Sequence, residues 1–211
     1  MSWKNLQTYS LQLLVHQVAQ KLGINPSDLL AEETAAIVDG INLGITTAWD
    51  HWPWPEILEV HEGNVVTSSD GDYTSILDNS SAEMLTIEGV YAKHPGRHPG
   101  ISCISYNQTE DRLYLLETGV PSTVFIRYWP VPPVYVSADV TSTTSYISTA
   151  NTSDTNVVPY IFHRYLLFKA YADMLMGDGQ HDKAGLIGAE AERILYQEQS
   201  KSERKQQGYH R

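Results

Sequence analysis

Residues 31–55 read AEETAAIVDGINLGITTAWDHWPWP, and this stretch separates a helical part of the chain from a part rich in strands. Its apolar residues recur at spacings of three and four, as they do along one face of an amphipathic helix. Pro53 and Pro55 then end the pattern, because proline lacks the amide hydrogen that a helix interior needs. Asn25 precedes a proline and an acidic residue, which is typical of a helix start. We therefore predict a long helix over residues 26–51.

Two glycines within this helix, Gly40 and Gly44, lie one turn apart. Because glycine has no side chain, another backbone can approach a helix closely at such positions. The pair is either a close-packing site or two glycines that the helix merely tolerates, and the sequence leaves both interpretations open.

A shorter apolar periodicity precedes the long helix. Gly23 follows it, at the position where helices commonly end in a left-handed residue. We predict a helix over residues 8–22, with an apolar face formed by Leu11, Leu14, Val15, Val18 and Leu22.

The pattern changes to that of strands after Pro55. β-branched and aromatic residues are concentrated in Thr123–Trp129, which predicts the strongest strand. We also predict two hairpins, one around His61–Asn64 and one around Asn107–Asp111, so that residues 56–136 form an antiparallel sheet or small barrel of about five or six strands. Cys103 falls in one of these strands, and we interpret it as a small core residue.

Residues 137–156 differ from both neighbouring regions, since eleven of the twenty are Ser or Thr. Such a composition predicts a loop. The alternative is an extended arm that pairs with a neighbouring chain.

Residues 157–198 return to a helical pattern. Gly177-Asp178-Gly179 interrupts it, which predicts two helices joined as an αα-hairpin. The first helix is predicted to have Pro159 in its first turn, and the second to be capped by Asp178 or Asp182. The seam is rich in small residues, and Gly185 and Gly188 are predicted to let the helices pack closely. The seam residues are Ile161, Tyr165, Phe168, Ala172 and Leu175 in the first helix, and Ala184, Ile187, Ala191 and Ile194 in the second.

These regions together predict an α+β fold. Residues 1–55 and 157–198 form a helical bundle of two N-terminal helices and a C-terminal helical hairpin. The antiparallel β-domain of residues 56–136 is inserted into it. Residues 137–156 form the loop or arm, and residues 199–211 form a C-terminal tail.

The charge is strongly acidic, with 14 Lys and Arg against 25 Asp and Glu and a net charge of −11. This argues against binding of nucleic acid over the whole surface, which requires positive charge at the contact. The predicted tail is the exception, because Lys201, Arg204, Lys205 and Arg211 outnumber Glu203. It is either a solvated helix end or a charged contact for a partner.

No known catalytic or cofactor motif is present, so we predict no enzyme activity, no cofactor and no metal. His94 and His98 lie in a His-Pro-Gly repeat, which favours a turn over a metal site. Asp70-Gly71-Asp72 lacks the later ligands of a calcium loop. His181, which lies near two aspartates, fits a turn between helices better than acid–base catalysis. The lone cysteine excludes a disulfide framework, and neither a transmembrane run nor a signal peptide is expected, which indicates synthesis in a reducing cytoplasm.

Three indoles fall within six residues at Trp49, Trp52 and Trp54. Aromatic clusters of this kind can stack sugars or bases. They also anchor junctions between domains or between subunits. Because Pro53 and Pro55 fix the chain here, we interpret the cluster as a junction.

The order of these pieces resembles that of head-to-tail adaptor proteins of tailed bacteriophages. Ala31–Asn42 followed by Ala48–Pro55 is similar to their helix with an "A-I-N" centre and a "W-P" exit. Phe125–Pro133 is similar to their strand end "V-x-Y-R-x-x-P-P", with Arg127-Tyr128 in the reverse order. Gly179–Ala184 matches the "G-Q-x-x-K-A" turn of their C-terminal helical hairpin.

The resemblance implies a structural protein of the virion, located in the neck between capsid and tail and made in the host cytoplasm. Such adaptors form rings, typically of twelve copies, below the portal protein. They extend the channel through which packaged DNA passes without specific binding, and they provide the attachment platform for a tail or nozzle protein. No membrane is involved. Carried over, the portal-contact residues would be Lys201, Arg204, Lys205, Tyr209 and Arg211.

Two alternatives remain from the sequence. A tail-completion or stopper protein would share the insertion but bind the tail first. A carbohydrate-binding module would use the sheet as its site and the three tryptophans as an exposed sugar platform. The tryptophan rings would then line a cleft.

Overall fold

The computed structural model describes residues 7–69, 71–75, 84–98, 100–109, 112–140, 148–149 and 157–208. Their α+β architecture confirms the predicted fold class. The described residues form two compact units. Residues 57–131 make up one, called here the β unit. Residues 7–56 and 132–208 make up the other, called the helical unit.

Along the chain, the described elements belong first to the helical unit, then to the β unit, and then to the helical unit again. The helices are α1 (Leu11–Leu22), α2 (Ala31–His51), α3 (His163–Gly177) and α4 (His181–Gly208). The strands are β1 (Gln7–Ser10), β2 (Glu59–Ser68), β3 (Gly71–Ser75), β4 (Met84–Tyr91), β5 (Cys103–Ile104), β6 (Tyr106–Gln108), β7 (Arg112–Leu115), β8 (Thr123–Pro130), β9 (Ser148–Thr149) and β10 (Val157–Pro159).

The first helix is three residues shorter than predicted, because strand β1 occupies its predicted start. β1 pairs antiparallel with both β10 and β9. Ser10 ends the strand and caps α1, since its hydroxyl accepts a hydrogen bond from Leu13 N at 3.4 Å. The predicted end is confirmed, with Gly23 at φ +83°.

The second helix begins at Ala31 rather than at residue 26. Asn25 caps a single 3₁₀ turn, Pro26–Asp28, instead of the helix itself. The carboxylate of Glu33 then accepts the backbone N–H of Leu30 at 2.9 Å and stabilises the true start. The predicted end at His51, before Pro53, is confirmed.

The glycine pair of α2 is a close-packing site. A Cβ atom placed on Gly40 would lie 3.3 Å from the Cα of Ala170 in α3. A Cβ on Gly44 would lie 3.0 Å from a methyl group of Leu166. Gly44, the later of the two glycines in α2, faces Leu166, which comes earlier in α3 than the Ala170 that Gly40 faces. The two helices therefore run antiparallel.

The C-terminal hairpin is confirmed, but two details of the prediction are wrong. Asp178 follows the end of α3 and donates its N–H to Met174 O, and Asp182 lies inside the first turn of α4, so neither caps α4. Gly185 and Gly188 are not close-packing positions within the chain, because a Cβ on either would meet nothing within 4 Å.

The chain enters α3 through an extended segment. Pro159 is the last residue of β10 and precedes a 3₁₀ turn, so its predicted place in the first turn of the helix is wrong. In the predicted loop or arm, Ser137–Asp139 form a 3₁₀ turn and Ser148–Thr149 pair with β1 of the same chain. Residues 141–147 and 150–156 lie outside the described residues.

The β unit is an antiparallel sheet whose described strands follow the order β5-β4-β8-β2-β3-β7-β6. The two ends of this order, β5 and β6, are separated only by Ser105. Ser105 O accepts the N–H of Leu116 at 2.9 Å, which extends the pairing beyond β7. One stretch of chain therefore pairs with β4 at its start and with β7 at its end, so the sheet closes into a small barrel, as one of the two predicted alternatives requires.

The barrel interior is filled by alternate residues of its strands. Along β8 every second residue is buried, which places Val124, Ile126 and Tyr128 inside. Ile104, Leu113 and Val90 complete the same core from three other strands. The alternation leaves Cys103 exposed, so its predicted place in the core is wrong.

The predicted hairpin around His61–Asn64 is wrong, since these residues lie within the single strand β2. Its first half pairs with β8 and its second half with β3. Gly63 sits where Thr74 approaches so closely that a Cβ atom would overlap its hydroxyl. The glycine that suggested a turn thus makes room for a neighbouring strand. The second predicted hairpin is confirmed by the antiparallel pairing of β6 with β7.

Candidate interaction surfaces

The last turns of α4 are docked on the segment that follows α2. Ser202 is buried, and its hydroxyl donates to the Glu56 carboxylate at 2.8 Å. Lys205 Nζ lies 3.3 Å from the other oxygen of the same carboxylate. The segment predicted as a basic C-terminal tail is therefore helical as far as Gly208 and is fixed to its own helical unit.

A second contact fixes the same end of α4 one turn earlier. His51, the last residue of α2, donates from Nε2 to the side-chain oxygen of Gln199 at 3.1 Å. Its ring also meets the edge of Tyr196, with 4.9 Å between ring centres. The end of α2 and residue 199 of α4 thus lie at the same level of the bundle.

The basic residues predicted to contact a portal protein differ in whether they form ion pairs within the chain. Lys201 pairs with Glu198 at 2.6 Å, and Lys205 pairs with Glu56. Arg204 is exposed and forms no ion pair with any residue that the structure describes. Tyr209 and Arg211 lie outside the described residues. Since surface ion pairs contribute only about 0–1 kcal/mol, the lysines remain available to a partner.

The tryptophan cluster is mostly internal to the helical unit. Trp54 is fully buried, donates from Nε1 to Ala48 O at 2.7 Å and meets Phe162 edge-on. Trp49 is 5% exposed and packs against the same phenylalanine, with 6.1 Å between ring centres. Trp52 is half-buried, and its indole nitrogen has no hydrogen-bond partner among the residues that the structure describes. Two of the three indoles are therefore core residues, and they join the end of α2 to the start of α3.

An open groove of about 430 Å³ lies between α2 and α3. Its floor is apolar, and three aspartates lie along it. The lining residues are Ala36, Asp39, Gly40, Leu43, Asp173, Met174, Gly177 and Asp178. Leu43 is 56% exposed and adds an apolar side chain to the edge of the groove. The groove was not predicted from the sequence, although the α2 residues that line it recur at helical spacings of three and four.

The motifs that the sequence set aside remain local features in the structure. His94 Nδ1 accepts the backbone N–H of Gly96 at 3.1 Å, as in a turn. Among the described residues, no three His, Cys, Asp or Glu side chains are placed to hold a metal ion. Asp70 lies outside the described residues.

Within the described part of the chain, no helix has both the length and the apolar character needed to cross a membrane. No protein-family model and no curated protein matches this sequence.

Proposed function

We propose that this protein is a head-to-tail adaptor of a tailed bacteriophage, a structural protein that forms a ring below the portal. The main support for the proposal is that the C-terminal segment is helical and is docked on the rest of the helical unit. Helix α4 continues for 28 residues, through the basic segment, to Gly208. Its end is docked on Glu56, so the bundle presents Arg204 and its neighbouring lysines in a fixed place.

The remaining architecture supports the same proposal. A helical unit with a small barrel inserted between its second and third helices matches the order of pieces in the adaptors that the sequence resembles. In this proposal the ring lies in the virion neck, the portal contacts the C-terminal end of α4, and a tail or nozzle protein binds the assembled ring. Residues 1–198 carry most of the negative charge and would repel the phosphates of DNA passing through the channel.

The carbohydrate-binding alternative loses its main support. It required the rings of Trp49, Trp52 and Trp54 to line a cleft as a sugar platform. Trp54 is fully buried and Trp49 nearly so, with Phe162 packed against both. Their hydrophobic surface stabilises the bundle and does not face a ligand.

The proposal is tested by negative-stain imaging of the full chain, alone and mixed with the portal protein of the same phage. We expect rings on the portal axis. Arg204→Glu should reduce portal binding, because it places an acidic group where the proposed contact needs a cation. Arg97→Glu is the matched control, since it makes the same change of net charge at an exposed arginine of the β unit.

Three outcomes separate the alternatives. Rings that depend on Arg204 but not on Arg97 support the adaptor with the proposed portal contact. A chain that ignores the portal but binds isolated tails would instead identify a stopper or tail-completion protein. A monomer that binds neither component overturns the proposal.

A further inference from the structure

Helix α2 exposes a straight stripe that is acidic along its whole length. Six exposed residues at spacings of four and three form the stripe, and Ala31 and Thr47 are exposed beside it; the six are Glu32, Ala36, Asp39, Leu43, Thr46 and Asp50. No Lys or Arg occurs anywhere in residues 22–92. None of the three carboxylates forms an ion pair with a described residue. The stripe borders the groove between α2 and α3.

Helix α4 exposes a stripe that is apolar and basic rather than acidic. Its members are Leu186, Ala189, Arg193, Tyr196 and Arg204, and the carboxylates of Glu190, Glu192 and Glu203 lie beside it. Leu186 is 75% exposed and Tyr196 is 57% exposed. Arg193 pairs with Glu190 of its own helix, whereas Arg204 has no ion-pair partner in the described chain. Gly185 and Gly188 flank the stripe and leave open space above the backbone.

The two helices run in the same direction. α2 is antiparallel to α3, and α3 is antiparallel to α4 because the short turn at Asp178–Gln180 joins them. The hydrogen bond between His51 and Gln199, together with the ring contact of His51 with Tyr196, sets their relative level to within about one turn. Because both helices rise by the same ~1.5 Å per residue, residues that precede this pair by equal numbers lie at similar levels.

This level places the two exposed leucines opposite small residues. Leu186 lies thirteen residues before Gln199, and Val38 lies thirteen residues before His51. Leu186 is therefore level with the part of the groove between Ala36 and Gly40. Leu43 precedes His51 by eight residues and is therefore level with the α4 surface between Ala189 and Arg193.

We infer that the α2 stripe of one copy packs against the α4 stripe of the next copy. The inference rests on the proposed ring. Closed rings require two different faces that meet repeatedly without a shift along the ring axis. The stripes satisfy that requirement when the axis runs along the bundle, since parallel helices then meet at equal levels. Leu186 of one copy enters the groove of the next, and Leu43 packs over Ala189.

The charges support the same pairing. Arg193 pairs with Glu190 of its own helix, and at these levels Asp39 and Asp50 of the next copy lie about 9 and about 8 Å from it along the axis. The α4 face, where cations and carboxylates are paired, does not repel the acidic α2 stripe, whereas two acidic α2 stripes facing each other would repel. A two-fold contact between identical α2 faces is therefore disfavoured, and the head-to-tail contact is favoured.

Crosslinking between two single-cysteine variants tests the contact directly. Cys103 is exposed and is first replaced by Ser in both proteins. One protein then carries Ala36→Cys and the other Leu186→Cys, with a tag that distinguishes their masses. Oxidation is carried out under the conditions in which imaging shows wild-type rings. We expect mixed dimers at least about tenfold above the control pair, since a disulfide needs Cα atoms within ~7 Å.

The control pair combines Ala36→Cys with Arg204→Cys, which lies on the same face of α4 but at a distant level. Leu186→Glu should also reduce the yield of wild-type rings, whereas Leu30→Glu, at a leucine that is 64% exposed, should not. Rings that persist with Leu186→Glu, or equal crosslinking in both pairs, would overturn this interface and leave the ring itself intact. If the wild-type chain forms no ring, alone or on the portal, the proposed function fails as well.

Discussion

The side-chain amide of Asn42 makes two hydrogen bonds to the backbone of one residue, Tyr135. Its Nδ2 donates to Tyr135 O at 2.8 Å, and its Oδ1 accepts from Tyr135 N at 2.9 Å. The tyrosine hydroxyl in turn donates to Val157 O at 2.9 Å, and the ring is buried. Helix α2 thereby holds the segment through which the chain returns from the β unit to the helical unit.

Asn42→Ala should lower the free energy of unfolding by about 2 kcal/mol, because two hydrogen bonds of about 1 kcal/mol each are lost. Urea denaturation measures the change. Asn42→Asp keeps the acceptor but loses the donor, and it places a carboxylate against the Tyr135 carbonyl, so it should be at least as destabilising. Wild-type stability in both variants would show that the two bonds contribute nothing.

The glycines of the helices should respond in opposite directions to a larger side chain. Gly40→Val should destabilise the protein by about 1–3 kcal/mol, because its Cβ would press on the Ala170 backbone. Gly185→Ala should stabilise it by about 0.5–1 kcal/mol, because its Cβ meets open space and alanine favours the helix. Thermal unfolding of the two variants provides the comparison. A stabilised Gly40→Val variant would contradict the close approach of α2 and α3.

Replacement of Trp54 by Phe should cost about 1–3 kcal/mol, because the hydrogen bond to Ala48 O is lost in a buried position. Trp52→Phe is the matched control, since the Trp52 indole nitrogen has no hydrogen-bond partner to lose in the described part of the chain. Chemical denaturation followed by tryptophan fluorescence separates the two. Equal losses in both variants would mean that packing alone, and not the hydrogen bond, sets the contribution of Trp54.

The stability of the helical unit should fall on acidification through His163. The ring packs against both Tyr9 and Tyr160, with 4.8 and 4.5 Å between ring centres, and Nδ1 donates to Tyr160 O at 2.6 Å. Burial lowers the pKa of His163 below its ordinary value of 6.5. The unfolded chain therefore takes up the proton first as the pH falls, so the contribution is complete above pH 6.5 and is lost below it.

His163→Phe keeps an aromatic ring packed against the two tyrosines but cannot titrate. The wild type should therefore lose more stability than His163→Phe between about pH 7.5 and pH 5, measured as the midpoint of urea unfolding. Identical pH profiles of the two proteins would show that His163 has the same pKa folded and unfolded.

Local chemistry in the sequence was sufficient for the features that depend on neighbouring residues. Pro53 ends α2, Gly23 ends α1, and the Gly177–Gly179 break separates α3 from α4. The concentration of β-branched and aromatic residues in Thr123–Trp129 likewise predicted β8, the strand that runs through the barrel core. In each case the backbone preference or the periodicity acts within a few residues, so the pattern itself carries the information.

The features that the sequence did not predict depend on distant partners. β1 replaces the start of α1 because it pairs with strands about 140 residues later in the chain. The last turns of α4 carry no apolar periodicity, and they dock through Glu56 and His51. The hydrogen bonds of Asn42 also depend on a distant residue, since nothing near Asn42 in the sequence marks Tyr135 as its partner.

The sequence by itself therefore determined the fold class and the position of the antiparallel β-domain between two helical parts of the chain, because helix periodicity, strand composition and prolines are local properties. Only the tertiary structure decided that Trp49 and Trp54 are core residues, that the basic segment is a docked helix, and that the α2 and α4 stripes lie at matching levels. Each of these depends on which distant surfaces pack together, and that choice is made by the free energy of the whole folded chain.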